Sequence, residues 1–157
     1  GIFDYRLTEA GRDLRPVVEA MGFWGQKWVE SRLSLKNLDP SLLMWDMRRN
    51  LDPTPMPPRR AVIQILYPEL RPGKRKWWLI VENGTTDLCS VDPGFEVDLY
   101  VSSDLRTMTA IWMGLTSLGA EVEAGRIQLA GDDRLAGAMG QWLGLSPFAA
   151  EKKRVNG

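Results

Sequence analysis

The sequence contains no histidine among its 157 residues and only one cysteine, Cys89. Without histidine, a Ser–His–Asp triad, an imidazole metal ligand and an imidazole acid or base are all excluded. A single cysteine cannot form an internal disulfide or supply the usual zinc cluster, so we expect no metal site. We also expect no cofactor, because no glycine-rich phosphate-binding fingerprint followed by lysine occurs.

Long apolar runs are lacking as well. The longest one covers residues 77–81, far below the ~18 residues that a membrane-spanning helix needs. Asp4 and Arg6 near the start argue against a secretory signal. Together with the lone Cys89, these features predict a cytoplasmic protein without a membrane span. The hydrophobic share of 44% and the charged share of 25% indicate an ordinary globular chain with one core.

Carboxylate chemistry is the catalytic route that this composition leaves open. Glu82, Asp98 and Asp132 could act as acids or bases in a pocket-bearing enzyme. No spacing distinguishes them from ordinary structural or surface carboxylates. We therefore predict a protein without enzymatic activity and keep carboxylate catalysis as an alternative.

The positive charges concentrate in residues 1–76, while residues 77–157 carry an excess of negative charge. Cations next to aromatic side chains can stack on nucleic-acid bases. In a chain with no net charge, a short basic patch is more often a solvated surface, and we favour that interpretation. The patch comprises Arg59, Arg60, Arg71, Lys74, Arg75 and Lys76, beside Trp77 and Trp78.

The first helical pattern begins at Thr8, a typical N-cap residue. Apolar residues follow at helical spacing as far as Trp28, and Pro16 should kink or split this helix. Trp24, Trp28 and Leu35 form an apolar stripe. The stripe either packs on the chain's own core or forms a subunit interface, so a homodimer is a candidate assembly.

A second helix is predicted from Asp39 as its N-cap, with Pro40 in the first turn. The prolines between residues 52 and 60 exclude both helix and central strand.

Turns are predicted at 71–74 and at Asn83-Gly84. Alternation predicts strands over 61–67, 76–82, 85–91, 96–102 and 126–130. Further helices are predicted from Ser103, over about 117–124, and from Asp132 to Leu143.

The fourth of these strands alternates most clearly. Its inward set is Val97, Leu99 and Val101, and its outward set is Glu96, Asp98 and Tyr100. One-sided alternation is typical of a sheet with one buried face. The element order predicts an α+β fold, in which helices cover one face of a mainly antiparallel five-stranded sheet, with an N-terminal helical segment.

Three stretches resemble the sterol-carrier-protein type 2 family of lipid-binding domains. They cover residues 98–114, 125–132 and 135–148, and they include a glycine-bounded strand, a Gly-Asp pair and a following helix. The resemblance implies a sterol-carrier-like ligand-binding domain over residues 39–150, followed by a tail over 151–157. It also implies an apolar small molecule or lipid as the partner.

The start of the chain resembles another family. Tyr5-Arg-Leu-Thr-Glu-Ala-Gly11, followed by Leu14, Pro16 and Trp24-Gly25, is similar to the end of an HxlR-type winged-helix regulator. In that family a wing strand leads into the last helix of the DNA-binding domain. Residues 1–36 would then be a remnant of such a domain. We expect DNA binding only through a missing upstream domain, and no DNA-contacting residue is assigned here.

Seven tryptophans and seven methionines give the chain many adaptable apolar side chains. The sterol-carrier resemblance implies that a ligand lies between sheet and helices, although each of these residues could simply fill the core. The expected lining comprises Trp77, Leu79, Val81, Leu99, Met108, Ile111, Trp112, Leu115, Met139 and Trp142. The chain is thus predicted to be the hydrophobic-ligand sensor of a winged-helix transcription regulator. A stand-alone lipid carrier or storage protein is the first alternative.

Overall fold

The computed structural model describes residues 6–29, 35–152 and 154. The start of the expected wing strand at Tyr5, the end of the expected remnant at 30–34 and most of the 151–157 tail therefore lie outside the described residues. Within them, no helix is long and apolar enough to cross a membrane.

Two helices form the N-terminal part, α1 (Glu9–Asp13) and α2 (Arg15–Trp28). Thr8 is the N-cap of α1, and its Oγ1 accepts a hydrogen bond of 3.2 Å from the backbone N–H of Gly11. The chain is split at Leu14 because Pro16, in the first turn of α2, has no N–H to continue the helix ladder. The expected N-cap and the expected split are both confirmed.

Helix α3 spans Pro40–Asn50. The Asp39 carboxylate accepts hydrogen bonds from the N–H groups of Ser41 and Leu42, at 2.7 and 3.4 Å, and these bonds lower the pKa of Asp39. Helix α3 buries one face, and residues 52–60 then run without helix or strand, as expected from their prolines.

Five strands form one sheet in the order β3-β2-β1-β4-β5. They are β1 (Ala61–Leu66), β2 (Lys76–Glu82), β3 (Thr85–Cys89), β4 (Leu99–Ser103) and β5 (Ile127–Gly131). The turn between β2 and β3 has positive φ at Asn83 (52°) and Gly84 (73°), as an Asn-Gly hairpin turn requires. Between β1 and β2, a short helix, α4 (Pro72–Arg75), replaces the simple turn that we expected.

The sheet is mixed, so the expectation of a mainly antiparallel sheet is corrected. Strands β1 and β4 pair in parallel, with Ile63 opposite Leu99, while the other neighbouring strands are antiparallel. The reason is topological: residues 90–98 leave the edge strand β3, cross β2 and β1, and start β4 on the far side of β1. A crossover returns a strand in the same direction, whereas a hairpin reverses it.

The expected alternation of the fourth strand is wrong at its start. Strand β4 begins only at Leu99, and Val97 is half-buried outside it. Asp98 does not face solvent: its side chain is 16% exposed and pairs with Arg59 at 2.7 Å. Its other oxygen accepts a hydrogen bond of 2.8 Å from the N–H of Val62. The backbone N–H of Asp98 also donates to the carbonyl of Val62 at 2.9 Å, so Asp98 binds Val62 through both backbone and side chain just before the β1–β4 pairing begins.

Four short helices follow β4 along the chain. They are α5 (Leu105–Trp112), α6 (Leu118–Glu123), α7 (Asp133–Gly137) and α8 (Met139–Trp142). Asp104, Ser117 and Asp132 cap α5, α6 and α7 through their side-chain oxygens. The single helix expected after Asp132 is instead broken at Ala138. This break lets the indole N–H of Trp142 donate to the carbonyl of Leu135 at 2.8 Å.

The core lies between the helices and one face of the sheet. The odd-numbered residues of β1 and β2 point into it, together with the buried faces of α3 and α5. The other face is more open, with Tyr100 48% exposed, but Val62 and Trp78 are buried there. The members of the core with no measurable exposure include Met44, Met108, Met139 and Trp142.

Candidate apolar ligand site

The residues predicted to line a ligand site come together in one buried cluster, with two exceptions at its margin. Trp112 is half-buried and packs against the cluster, and its indole N–H is buried without a partner among the described residues. Leu115 is half-buried and lies past the end of α5. Ligand contact with the set stays a prediction. The clustered residues are Trp77, Leu79, Val81, Leu99, Met108, Ile111, Met139 and Trp142.

The members of the cluster are buried, so a ligand needs a way in from the surface. An open groove of about 490 Å³ reaches Ile111 from outside. This volume lies within the ~300–1,000 Å³ of small-molecule sites. We call it the α5–α8 groove. It is lined by Ile111, Gly114, Thr116, Ser117, Leu118, Gly119, Gly140, Leu143, Leu145 and Ala149.

Glycines keep the α5–α8 groove open, because they have no side chain to fill it. A Cβ atom on Gly119 would have no neighbour within 4 Å, and one on Gly140 would meet only Leu118 Cδ2 at 4.0 Å. Gly114 ends the turn after α5 with φ +71°, and a Cβ there would lie 2.6 Å from the carbonyl oxygen of Ala149. The groove therefore has apolar walls from Leu118 and the segment after α8, and an open floor of glycine backbone.

An ion pair between Glu121 and Arg126 is linked to the groove through Thr116, which lines it. The Glu121 side chain, 7% exposed, accepts a hydrogen bond of 2.7 Å from Thr116 Oγ1 and pairs with Arg126. The hydrogen bonds from Arg126 and Thr116 lower the pKa of Glu121. This carboxylate is therefore charged and held in place at neutral pH.

The carboxylates considered for catalysis all have structural partners. Glu82 pairs with Arg60 at 3.2 Å, Asp98 bridges Val62 and Arg59, and Asp132 caps α7. None of the three lines the α5–α8 groove. Their arrangement is that of structural groups.

The basic patch is largely engaged within the protein. Arg59 and Arg60 form the ion pairs with Asp98 and Glu82. Lys74 lies 3.8 Å from Asp39, and Arg75 donates to the carbonyl of Leu70 at 3.0 Å. These contacts favour the interpretation of the patch as an ordinary polar surface.

Helix α2 is docked on the domain that carries the groove. Gln26, 7% exposed, donates from Nε2 to the carbonyl of Met113 at 2.8 Å. Lys27 pairs with Glu151 at 3.1 Å. The rings of Phe23 and Phe148 meet edge to face with centroids 5.0 Å apart. Sequence reasoning missed these contacts, because a glutamine in a helix usually indicates an exposed position.

The residues of the expected apolar stripe differ in their exposure. Leu35 is buried at 9% exposure, whereas Trp24 and Trp28 are 62% and 45% exposed. The two tryptophans therefore do not pack on the chain's own core within the described residues. They continue a row of exposed residues at spacings of three and four: Leu14, Val17, Met21, Trp24 and Trp28.

Residues 2–33 match the family model of the HxlR-like helix-turn-helix. The N-terminal resemblance is thereby confirmed for the segment that contains α1 and α2. No curated protein matches the sequence.

Solved structures with the same fold confirm the second resemblance. Palmitated SCP2L2 from Aedes aegypti, a sterol carrier protein 2-like protein, is 20% identical with a TM-score of 0.52. The match covers 66% of this chain and 93% of that one. The inverting sec-alkylsulfatase Pisa1 from Pseudomonas sp. is also 20% identical, with a TM-score of 0.54, over 69% of this chain. This chain spans only 17% of that enzyme. At such identities the likeness establishes the fold: α+β, of the sterol-carrier type.

Proposed function

We propose that this chain is the hydrophobic-ligand sensor of a winged-helix transcription regulator and is not an enzyme. The observation that carries the proposal is the docking of α2, from the HxlR-like segment, on a sterol-carrier-type domain through Gln26 and Lys27. A change in the domain can reach such a helix through direct contacts. DNA would be bound by a domain upstream of residue 1, and the proposed compartment is the cytoplasm.

The proposed ligand is a long acyl chain or a similar apolar molecule bound in the α5–α8 groove and extending toward the predicted lining. Removal of apolar surface from water contributes roughly 25 cal/mol per Å². Partition of this kind needs no proton transfer and no covalent step. The mosquito protein, which holds palmitate in its solved structure, supplies the reason for choosing palmitate as the probe.

A series of saturated fatty acids from eight to sixteen carbons tests the proposal by titration calorimetry. If the groove works by partition, affinity should rise about fourfold with each methylene, since each buried CH₂ contributes about 0.8 kcal/mol. The rise should end when the groove is full. Equal affinity across the series, or no saturable binding of palmitate, would contradict the proposal.

A stand-alone carrier is the second candidate, because the same fold makes up 93% of the mosquito protein. The two functions differ in what lies before residue 1. A longer form that carries a helix-turn-helix and releases DNA on adding palmitate supports the sensor. A form that binds palmitate with no DNA-binding segment supports the carrier.

We also propose that the chain forms a homodimer through the exposed row from Leu14 to Trp28. Spacings of three and four residues follow the seven-residue repeat by which helices pair, so a second α2 is the proposed occupant. Sedimentation velocity should show a dimer for the native chain and a monomer for Trp24→Glu. A monomeric native chain, or a dimer that survives the substitution, would contradict this pairing.

A further inference from the structure

The segment after α8 touches both the α5–α8 groove and helix α2. Leu145 and Ala149 line the groove. Ser146 and Phe148 instead line a second, smaller groove of about 270 Å³ whose other wall is α2. The segment is therefore a shared wall between the candidate ligand site and the HxlR-like helix.

Backbone and side-chain bonds hold this wall in place. The N–H of Ser146 donates to the carbonyl of Trp112 at 2.8 Å. At the start of the segment, Gly144 lies so close to α3 that a Cβ would fall 1.6 Å from the carbonyl oxygen of Asn50. At its end, Glu151 pairs with Lys27 of α2 at 3.1 Å. Leu145, Phe148 and Ala149 lie between these anchors.

Phe148 has no room to approach α2. A Cβ atom on Gly22 would lie 2.3 Å from Cζ of the Phe148 ring, so the ring rests directly on the helix backbone. Phe23 meets the same ring edge to face. A displacement of the wall away from the α5–α8 groove must therefore either move α2 or break its contact with Phe148.

We propose that residues 145–151 couple occupancy of the groove to the position of α2. An acyl chain seated against Leu145 and Ala149 presses the wall toward α2, and Phe148 transmits the push at Gly22. Ligand binding thus loosens the docking of α2. This inference rests on the proposed function and adds how the bound site would act on the HxlR-like segment.

Hydrogen–deuterium exchange of the full chain, with and without palmitate, tests the coupling. We expect amide exchange in residues 15–28 to become at least about fivefold faster with palmitate, the lower end of common allosteric couplings. In Phe148→Ala, exchange in α2 should already be fast without ligand and should not respond to it. Coupling is reciprocal in binding free energy, so this variant should also bind palmitate at least about fivefold more tightly.

Phe95→Ala is the matched control, because Phe95 packs under Arg60, 4.2 Å away, and lines neither groove. It should respond to palmitate as the native chain does. Lys27→Glu alone removes the ion pair with Glu151 and should reduce the effect of palmitate on exchange in α2. The double variant, Lys27→Glu with Glu151→Lys, allows the ion pair to form again and should keep that effect.

The outcomes separate the two proposals. Palmitate binding without any change of exchange in α2, or with the same change in Phe148→Ala, would overturn the coupling and leave the proposed function standing. No palmitate binding by the native chain would overturn the proposed function and the coupling with it.

Discussion

Tryptophan in place of Gly140 should weaken palmitate binding at least about fiftyfold. The glycine lines the α5–α8 groove, and a Cβ there meets only Leu118 Cδ2 at 4.0 Å, so an indole can extend into the groove. An indole displaces at least three methylenes of an acyl chain, each contributing about 0.8 kcal/mol when buried. Titration calorimetry measures the loss directly.

The matched control is Gly137→Trp. Gly137 is exposed at the end of α7, a Cβ on it has no neighbour within 4 Å, and it does not line the groove. Its palmitate affinity should equal that of the native chain. Both variants should keep the free energy of unfolding within about 0.5 kcal/mol, because neither added side chain enters the core. Equal affinity in the two variants would show that palmitate binds elsewhere.

Alanine in place of Trp142 should lower the free energy of unfolding by about 3–5 kcal/mol, the usual cost of removing a fully buried tryptophan. The side chain has no exposed surface. Its indole N–H donates a hydrogen bond of 2.8 Å to the carbonyl of Leu135, and this bond connects α8 to α7. Urea unfolding of the full chain, followed by circular dichroism, measures the change.

Trp45→Ala provides the comparison for the same residue type at the surface. Trp45 is 52% exposed and has a cation–π contact with Arg48 at 5.3 Å. Its removal should cost no more than about 1 kcal/mol. Similar losses for the two tryptophans would contradict the placement of Trp142 in the core.

Elements fixed by local chemistry could be predicted from the sequence. The caps at Thr8 and Asp39, the Asn83-Gly84 turn and strand β2 follow from a few neighbouring residues, and the structure has them where expected. The direction of β4 could not be predicted in this way. It depends on which neighbour β4 finds after the crossover of residues 90–98, and no local pattern carries that information.

Asp98 shows why alternation misleads at a strand end. A charged residue between Val97 and Leu99 fits the solvent side of a strand. The structure instead gives its carboxylate a backbone N–H of Val62 and the guanidinium of Arg59. Such a site exists only after β1 and β4 have come together, so the sequence around Asp98 contains no sign of it.

The same distinction between local patterns and contacts of distant residues applies to the candidate site. Alternation and helical spacing predicted which apolar residues would gather in the core, and most of them do. The α5–α8 groove depends on Gly119 and Gly140, from separate short helices, and Leu145, from the segment after α8, lining one space. The docking of α2 depends on Gln26 reaching Met113, far along the chain. These are meetings of distant residues, which periodicity does not detect.

The position of a bound acyl chain on this protein tests the proposed ligand site most directly. Unlabelled palmitate, studied by isotope-filtered NMR with protein that carries carbon-13-labelled methyl groups, reports contacts between ligand and side chains. We expect nuclear Overhauser effects from the acyl chain to Ile111, Leu118 and Leu143, which line the groove. Contacts confined to the exposed row of α2, such as Val17 and Met21, would contradict a ligand site in the domain.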